Sequence, residues 1–163
     1  METTLRHDNI ESIWFGFFIN KSKSFLISSI YKPPEGSKYL LKDFDESFDK
    51  MLSNVTSTKM EVILMGDCNV NFIKGANKCN FKSTLSLYGF EQLVKRATRI
   101  TNESSTLIDI IATNKPSVLK STDVIPTSLS DHDMVGCVRK LNHINFAPKV
   151  IKCRDFQNMI QLL

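Results

Sequence analysis

The stretch Val62-Ile63-Leu64-Met65-Gly66-Asp67-Cys68-Asn69 joins a continuous apolar run to a polar turn. Four apolar residues without alternation are typical of a strand that is covered on both faces of its sheet. Gly66 and the polar residues after it predict that the strand ends there. The stretch therefore predicts a buried strand with Asp67 and Asn69 placed directly at its end.

Two strands and a helix are predicted before this strand. The apolar runs Ile13–Ile19 and Phe25–Tyr31 are separated by Asn20-Lys21-Ser22-Lys23, which favours a hairpin. Pro33-Pro34 ends the second run. A set of apolar residues then recurs at helical spacing: Phe44, Phe48, Met51, Leu52 and Val55. This spacing predicts a helix with all five residues on one face.

Strands dominate the second half of the chain. Phe81–Tyr88 predicts a short helix that Gly89 closes. Three apolar runs predict strands: Thr106–Ala112, Val118–Ile125 and Met134–Leu141. Strands mixed with two or three helices predict an α/β (α+β) fold with mixed sheets rather than a regular βαβ alternation. The pattern fades from Asn142, so residues 1–141 are predicted to form the domain and residues 142–163 a linker.

The composition indicates one globular domain and argues against several classes of protein. The 163 residues are 42% hydrophobic and 23% charged, which is typical of a folded chain. A net charge of +4 permits nucleic-acid binding without arguing for it. The longest apolar run is too short to span a bilayer. Four cysteines without metal-ligand spacing favour a reduced, intracellular compartment over a zinc site or a secreted protein.

Asp67 and Asn69 are the first candidate site residues. Side chains two positions apart project to the same side of an extended backbone, so the pair can hold one water molecule or one phosphate oxygen. The carboxylate would direct the proton, and the amide would fix the orientation. The alternative is an ordinary turn at the end of the strand, with Asn69 as a cap.

Asp109 and His132 are the second candidates. Asp109 lies inside the apolar run Leu107-Ile108-Asp109-Ile110-Ile111, where an unpaired carboxylate would be costly. A pairing with His132 would hold one tautomer of the imidazole, as the orienting Asp does in a catalytic triad. Alternatively, Asp109 lies on the wet face of an alternating strand, and both interpretations remain open at this level.

Asp131 and Tyr31 complete the set. Asp131 precedes His132 at the entrance to an apolar strand and can bind a divalent cation or orient a neighbour, unless it only caps its own loop. His132 itself can contact a phosphoryl oxygen as imidazolium or act as a general acid. Tyr31 ends its strand directly before Lys32-Pro33-Pro34. Its hydroxyl can donate to a phosphate, although a half-buried strand aromatic is the simpler interpretation.

These motifs together resemble a known superfamily. In chain order they are Tyr31-Lys32-Pro33-Pro34, Gly66-Asp67-Cys68-Asn69, Gly89 to Val94, Ala97-Thr98-Arg99, Ser105 to Asn114, and Ser130-Asp131-His132. From about Glu11 to Lys140 the chain resembles the endonuclease/exonuclease/phosphatase superfamily. More narrowly, it is similar to the C-terminal part of the apurinic-type endonuclease domain of non-LTR retrotransposons. The final residues resemble the linker that leads from that domain toward a reverse transcriptase.

The resemblance implies a role for each candidate residue. Tyr31 would contact the scissile phosphate, Asp67 would position and activate the attacking water, and Asn69 would hold both. Asp109 would orient His132, and His132 would stabilise the pentavalent phosphorus. The remaining assignments are Asp131 and Asp67 near the metal, and Arg99 as a contact to the substrate. The cofactor implied is Mg²⁺ or Mn²⁺, and the substrate is duplex DNA that is nicked to leave a 3′-hydroxyl.

The resemblance also has a gap. The superfamily pattern begins with a section that carries an Asn and a metal-binding Glu, and neither has a counterpart here. The fold implied is a DNase-I-like four-layer α/β sandwich of two mixed sheets without its N-terminal section. We therefore expect exposed strand edges and sheet faces, marginal stability, and a loss of rate through the absent metal ligand.

Two other functions stay open at this level. One is a catalytically dead mobile-element relic that at most binds nucleic acid or a protein. The other is a phosphatase or sphingomyelinase-like member of the same superfamily. The retrotransposon resemblance implies an intracellular protein, in the nucleus, with no membrane partner and with an earlier fusion to a reverse transcriptase.

Overall fold

The buried strand of the opening stretch is the centre of a five-stranded mixed sheet. The computed structural model describes Leu5, His7 and residues 9–19, 23–73 and 80–141. The predicted linker at 142–163, Cys79 and most of the turn at 20–23 lie outside the described residues.

The helices are α1 (Phe44–Ser57) and α2 (Asn80–Leu87). The strands are β1 (Glu11–Phe17), β2 (Phe25–Tyr31), β3 (Glu61–Asp67), β4 (Glu91–Gln92), β5 (Arg99–Ile100), β6 (Ser105–Thr106), β7 (Asp109–Thr113), β8 (Leu119–Ile125) and β9 (Met134–Arg139).

The sheet order explains why residues 62–65 of β3 are all apolar. The five strands lie in the order β1-β2-β3-β7-β4, with β2 parallel to β3 and the other neighbours antiparallel. The pairs β5–β6 and β8–β9 form separate two-stranded antiparallel sheets. The predicted α/β class is confirmed, and among the described residues the mixed sheet is the five-stranded one.

One face of the five-stranded sheet, here called the helix face, is covered by α1. Alternate residues of β2 and β3 point to this face and are nearly inaccessible to solvent: Leu26, Ser28, Ile30, Val62 and Leu64. The helical spacing predicted for Phe44–Val55 is confirmed, since this stripe is fully buried against the sheet. Lys32 follows β2 on the same side, and its ammonium lies 5.5 Å from the centre of the Phe44 ring.

The opposite face, here called the open face, is covered only in part by the β8–β9 hairpin. The Arg139 guanidinium of β9 lies 4.1 Å from the centre of the Phe25 ring and forms a buried ion pair with Glu61. Strand β9 also contacts β7. Farther along this face, Ile13 and Phe15 of β1 are more than half exposed. The expected exposure of a sheet face is therefore present, and it concentrates on β1.

The predicted strand Thr106–Ala112 is wrong in one respect, because the structure divides it. Ser105–Thr106 pairs with β5, whereas Asp109–Thr113 pairs with β3. The break occurs where the Thr98 hydroxyl accepts hydrogen bonds from the backbone N–H groups of Ile108 and Asp109. The apolar pattern is continuous across this break because Leu107 and Ile108 are both buried.

Two cysteines differ in burial among the described residues. Cys68 is buried, whereas Cys137 is half-buried, and this burial raises the pKa of its thiol. Among the described residues, neither helix is long and apolar enough to cross a membrane.

Candidate active site

Strand register brings two of the predicted carboxylates together. Strands β3 and β7 run antiparallel, and Asp67 at the end of β3 lies directly opposite Asp109 at the start of β7. Directly opposed residues project to the same face of a sheet, here the open face. One side-chain ligand atom from each of Asp67, Asp109 and His132 lies within 4.8 Å of the other two. We call these three residues the acid–imidazole cluster.

His132 is paired with Asp109 rather than left in a solvated loop. Its Nδ1 atom lies 3.0 Å from Asp109 Oδ2 and 3.3 Å from Oδ1. A carboxylate only accepts hydrogen bonds, so Nδ1 carries the proton. Asp109 is 15% exposed and His132 is 32% exposed. The structure thus decides between the two interpretations of Asp109 in favour of pairing, and Nε2 is left as the outward nitrogen of the ring.

The loop that carries His132 is held by a short strand from another part of the chain. His132 forms an isolated β-bridge with Arg99. The Ile100 N–H donates to the Asp131 carbonyl at 2.8 Å, and the Asp133 N–H donates to the Thr98 carbonyl at 2.7 Å. These backbone bonds place the imidazole beside the start of β7 because the Thr98–Ile100 segment is itself fixed to β6.

Thr98 is a positioning residue to which the sequence interpretation gave no role. It is completely buried, and its Oγ1 accepts the N–H groups of Ile108 and Asp109 at 3.2 and 3.0 Å. Its backbone carbonyl holds the His132 loop. One threonine therefore sets the relative position of Asp109 and His132. The sequence feature that pointed to Thr98 was its position directly before Arg99 in the Ala97-Thr98-Arg99 motif.

The electrostatics of the cluster favour a basic carboxylate at Asp67. Burial raises the pKa of Asp67 above its ordinary value, and the nearby Asp109 charge acts in the same direction. The Asn69 N–H, His132 and Arg99 oppose this shift of the pKa without cancelling it. A carboxylate with a raised pKa is a better proton acceptor than an exposed one.

Asn69 does not occupy an extended backbone, so this part of the prediction is wrong. Its φ of +48° is left-handed, and its N–H donates to Asp67 Oδ1 at 2.9 Å in an Asx turn. Its side-chain Nδ2 donates to the Lys32 carbonyl at 3.0 Å. The turn that was the alternative interpretation is therefore present. Asn69 joins the ends of β2 and β3 beside the cluster.

Tyr31 lies next to this junction. It ends β2 on the open face, and the N–H of the following residue, Lys32, donates to the Asp67 carbonyl at 3.0 Å. Its side chain is partly exposed, and no protein group among the described residues bonds its hydroxyl. The phenol is thus available at the same edge as Asp67.

Asp131 and Arg99 form a separate ion pair beside the cluster. Arg99 Nε lies 2.7 Å from Asp131 Oδ2, with both side chains about 40% exposed. The hydrogen bond from Arg99 lowers the pKa of Asp131. Within the described part of the chain, the group able to hold one ion consists of Asp67, Asp109 and His132. Asp131, predicted as a metal ligand, is engaged by Arg99 instead.

The donor set fits a hard divalent cation in part. Carboxylate oxygens are the ligands that Mg²⁺ prefers, and one or two of them with water and phosphate complete many sites. Asp67 has one oxygen that Asn69 does not bond, whereas both Asp109 oxygens face His132 Nδ1. The residues present therefore suit a cation held mainly through Asp67, together with oxygen from water and a phosphate.

Comparison with known proteins identifies a family and structures of similar fold. A family model described as endonuclease-reverse transcriptase matches residues 25–136. No curated protein matches the chain by sequence. An endonuclease/exonuclease/phosphatase family protein from Leptotrichia buccalis superposes with a TM-score of 0.60 at 17% identity, over 80% of this chain and 54% of that chain.

Two other solved structures share the fold. The endonuclease domain of TRAS1, a telomere-specific non-LTR retrotransposon, gives a TM-score of 0.59 at 17% identity, over 82% of this chain and 68% of that domain. A mutant beta toxin from Staphylococcus aureus with bound magnesium ions gives 0.50 at 15% identity, over 79% and 57%. The chain thus spans from about half to about two thirds of the length of these structures.

Proposed function

The chain belongs to the endonuclease-reverse transcriptase family, and from this premise we propose that it hydrolyses phosphodiester bonds as the DNA-nicking part of a retrotransposon endonuclease. The observation that carries the proposal is the acid–imidazole cluster, with Asp67, Asp109 and His132 within 4.8 Å. Hydrolysis of a phosphodiester needs a base for the water and positive charge for the phosphorane oxygens. The cluster offers both at one edge of the sheet.

Asp67 is the residue that aligns and deprotonates the attacking water. Burial raises the pKa of this carboxyl, which increases its basicity, and among the described residues no hydrogen bond engages its second oxygen. The Asx turn with Asn69 fixes the other oxygen at 2.9 Å from a backbone N–H. A carboxylate held in one orientation loses little entropy when water binds.

His132 is the residue that stabilises negative charge on the phosphoryl group. Asp109 holds the proton on Nδ1, so the Nε2–H of the imidazolium form faces outward to donate to a phosphoryl oxygen. Asp109 acts through His132 and is a positioning residue. The closest analogy is the orienting carboxylate of a catalytic triad.

Tyr31, Asn69 and Arg99 are proposed to bind the phosphate. The Tyr31 hydroxyl has no protein partner in the described part of the chain and lies at the end of the strand next to β3. The Nδ2 of Asn69 is bonded to the Lys32 carbonyl, and no described residue bonds its side-chain oxygen. Arg99 uses Nε for Asp131, which leaves its two terminal amino groups for a phosphate oxygen.

A divalent cation, Mg²⁺ or Mn²⁺, is the proposed cofactor, and Asp67 would hold it. When bound, such an ion stabilises charge on the phosphoryl oxygens. Asp131 would join only if Arg99 moved to the substrate. The magnesium in the related beta toxin structure supports this choice of ion.

The TRAS1 domain name supports DNA as substrate, and the family description supports a reverse transcriptase as fusion partner. A nuclear site of action follows from a DNA substrate.

A second function, nucleic-acid binding without hydrolysis, is favoured by one observation. Both oxygens of Asp109 face His132, and Asp131 is paired with Arg99. Asp67 is then the one cluster carboxylate with a free oxygen for a cation, which is a small ligand set for catalysis. Binding without turnover would show as a retained plasmid shift with no nicked product.

Nicking of supercoiled plasmid with and without Mg²⁺ tests the proposal. The wild-type chain is compared with Asp67→Ala and His132→Ala, and with the controls Asp123→Ala and His7→Ala at positions away from the cluster. We expect loss of nicking by about a hundredfold or more in both cluster variants, activity near wild type in the controls, and none in EDTA. Equal nicking by all five proteins would remove the assigned roles.

A further inference from the structure

A cationic cleft lies at the other end of the five-stranded sheet from the acid–imidazole cluster. It has a volume of about 640 Å³, and its lining includes Phe18, Lys23, Lys59, Glu61 and Lys115. An adjoining cavity of about 310 Å³ shares Lys23, Glu61 and Lys115 and adds Lys140. Strand β3 begins at Glu61 and ends at Asp67. At about 3.3 Å per residue, the cleft is roughly 20 Å from the cluster.

Within the described residues, the positive charge of this cleft is not balanced by acidic groups. Its lining holds one acid, Glu61, and both Glu61 oxygens bond to Arg139 at 2.6 and 3.0 Å. The ammonium groups of Lys23, Lys59 and Lys115 form no ion pair within the described part of the chain. Three like charges around one concavity repel each other and create a positive potential that an anion relieves.

An aromatic side chain stands beside these lysines. Phe18 is 80% exposed, although it lines the same cleft as the lysines. A large apolar ring left in water loses the stabilisation that burial would give it. Aromatic faces together with a groove of positive charge are the recurring means of binding unpaired nucleotides, since every base has a face that can stack.

We propose that this cleft binds an unpaired nucleic-acid strand, with a base stacked on Phe18 and the backbone phosphates held by Lys23, Lys59 and Lys115. The lysines come from three separate segments of the chain, which suits a ligand with several phosphates better than a single small anion. The exposed ring needs a base that is not already stacked in a duplex. This site would hold a strand while the distant cluster acts on another phosphodiester.

Fluorescence anisotropy of a labelled ten-residue oligothymidylate, without divalent metal, tests the proposal on the full chain. The principal variant is the double substitution Lys59→Asn and Lys115→Gln. Lys59 has a φ of +56°, and asparagine adopts this left-handed conformation more readily than most residues. The matched control, Lys50→Gln with Lys95→Gln, removes the same charge elsewhere on the exposed surface.

We expect the cleft double variant to bind at least tenfold more weakly than the control double variant. The slope of log affinity against log salt should decrease by about 0.7 for each lysine that contacts a phosphate. Phe18→Ala should weaken binding by about tenfold with an unchanged slope. Asp67→Ala and His132→Ala should bind the oligonucleotide like wild type, which separates this site from the proposed hydrolytic one.

Two results would overturn the proposal. One is equal affinity of the cleft and control double variants for the oligonucleotide. The other is displacement of the oligonucleotide by thymidine monophosphate at the same total nucleotide concentration, because a site for a small anion would not require a strand.

Discussion

The two faces of the five-stranded sheet differ in how completely they are covered. On the helix face, Leu26, Ile30, Val62 and Leu64 are at most 4% exposed beneath α1. On the open face, Ile13, Phe15 and Phe17 of β1 are 61%, 56% and 43% exposed. The helix face is therefore closed along these strands, whereas exposure on the open face concentrates on β1, and the acid–imidazole cluster lies at one end of that face.

This separation follows from where the side chains of the acid–imidazole cluster project. Asp67 and Asp109 lie on the open face because β3 and β7 present alternate residues to each side. His132 reaches the same face through the loop before β9. A site proposed to bind DNA has to lie on a surface that the core does not close. Substitutions on the two faces should consequently affect different measurements.

The largest expected effect is on stability, from Met51→Ala on the helix face. Met51 is completely buried in α1, so the truncation leaves a cavity that costs about 3 kcal/mol of unfolding free energy. Urea denaturation measures this loss. Nicking per folded molecule should be unchanged. A large loss of nicking per folded molecule would show that burial on the helix face also controls activity. The two faces would then not have separate roles.

The next effect is on activity alone, from Asp109→Ala on the open face. Without its carboxylate partner, His132 loses its fixed tautomer and orientation. We expect nicking to fall by about a hundredfold, or about 2.7 kcal/mol in the barrier. The control is Asp123→Ala, an exposed aspartate on β8. A drop in the urea midpoint as large as that of Met51→Ala would contradict the assignment.

A smaller effect of opposite sign is expected from Asp67→Asn. Burial raises the pKa of Asp67 above its ordinary value of 3.8, so ionisation costs more in the folded chain than in the unfolded chain. For a raised carboxyl pKa, the favourable contribution is present below the unfolded pKa and is lost as pH rises through the folded pKa. At pH 7 the variant should therefore be more stable than wild type.

Solvent screening at this half-buried position limits the gain to less than about 1 kcal/mol. Denaturation at pH 7 and near pH 3 measures it, and the difference from wild type should disappear at the lower pH. The stabilised variant should not nick DNA. Lower stability than wild type at pH 7 would show that the Asp67 charge helps the fold rather than the reaction.

The smallest expected change in unfolding free energy comes from Phe15→Thr on β1. The side chain is already more than half exposed, and threonine keeps a good strand propensity, so the change should stay within about 0.5 kcal/mol. Self-association, measured by size-exclusion chromatography over a concentration series, should decrease because the open face loses apolar area. The matched control is Tyr39→Thr, an exposed aromatic outside the open face.

An unchanged concentration dependence in Phe15→Thr would mean that the open face does not cause association. A sharp two-state thermal melt of the monomeric wild-type chain would also contradict the marginal stability expected from this exposed face. Either outcome would show that the exposed apolar residues of the open face do not reduce stability or solubility as expected.

Local pattern was enough to predict the elements of the helix face. The range Phe25–Tyr31 is confirmed without change, and the apolar stripe of α1 is confirmed residue by residue. Periodicity predicts these elements because the burial of each residue follows from its position in the local hydrophobic pattern. The ends of β1 shifted to Glu11–Phe17, since pairing with β2, rather than hydropathy, determines where that strand stops.

By itself, the sequence determined both helices, the longer strands β1, β2, β3, β8 and β9, and the residue types that the resemblance assigned to the site. Only the tertiary structure decided that Asp109 faces His132, that Asp131 is held by Arg99 and that Asn69 turns back toward Lys32. It alone revealed the role of Thr98 and the convergence of lysines in the distant cleft. Hydrophobic periodicity is a local property, whereas strand register and loop contacts join residues far apart in the chain.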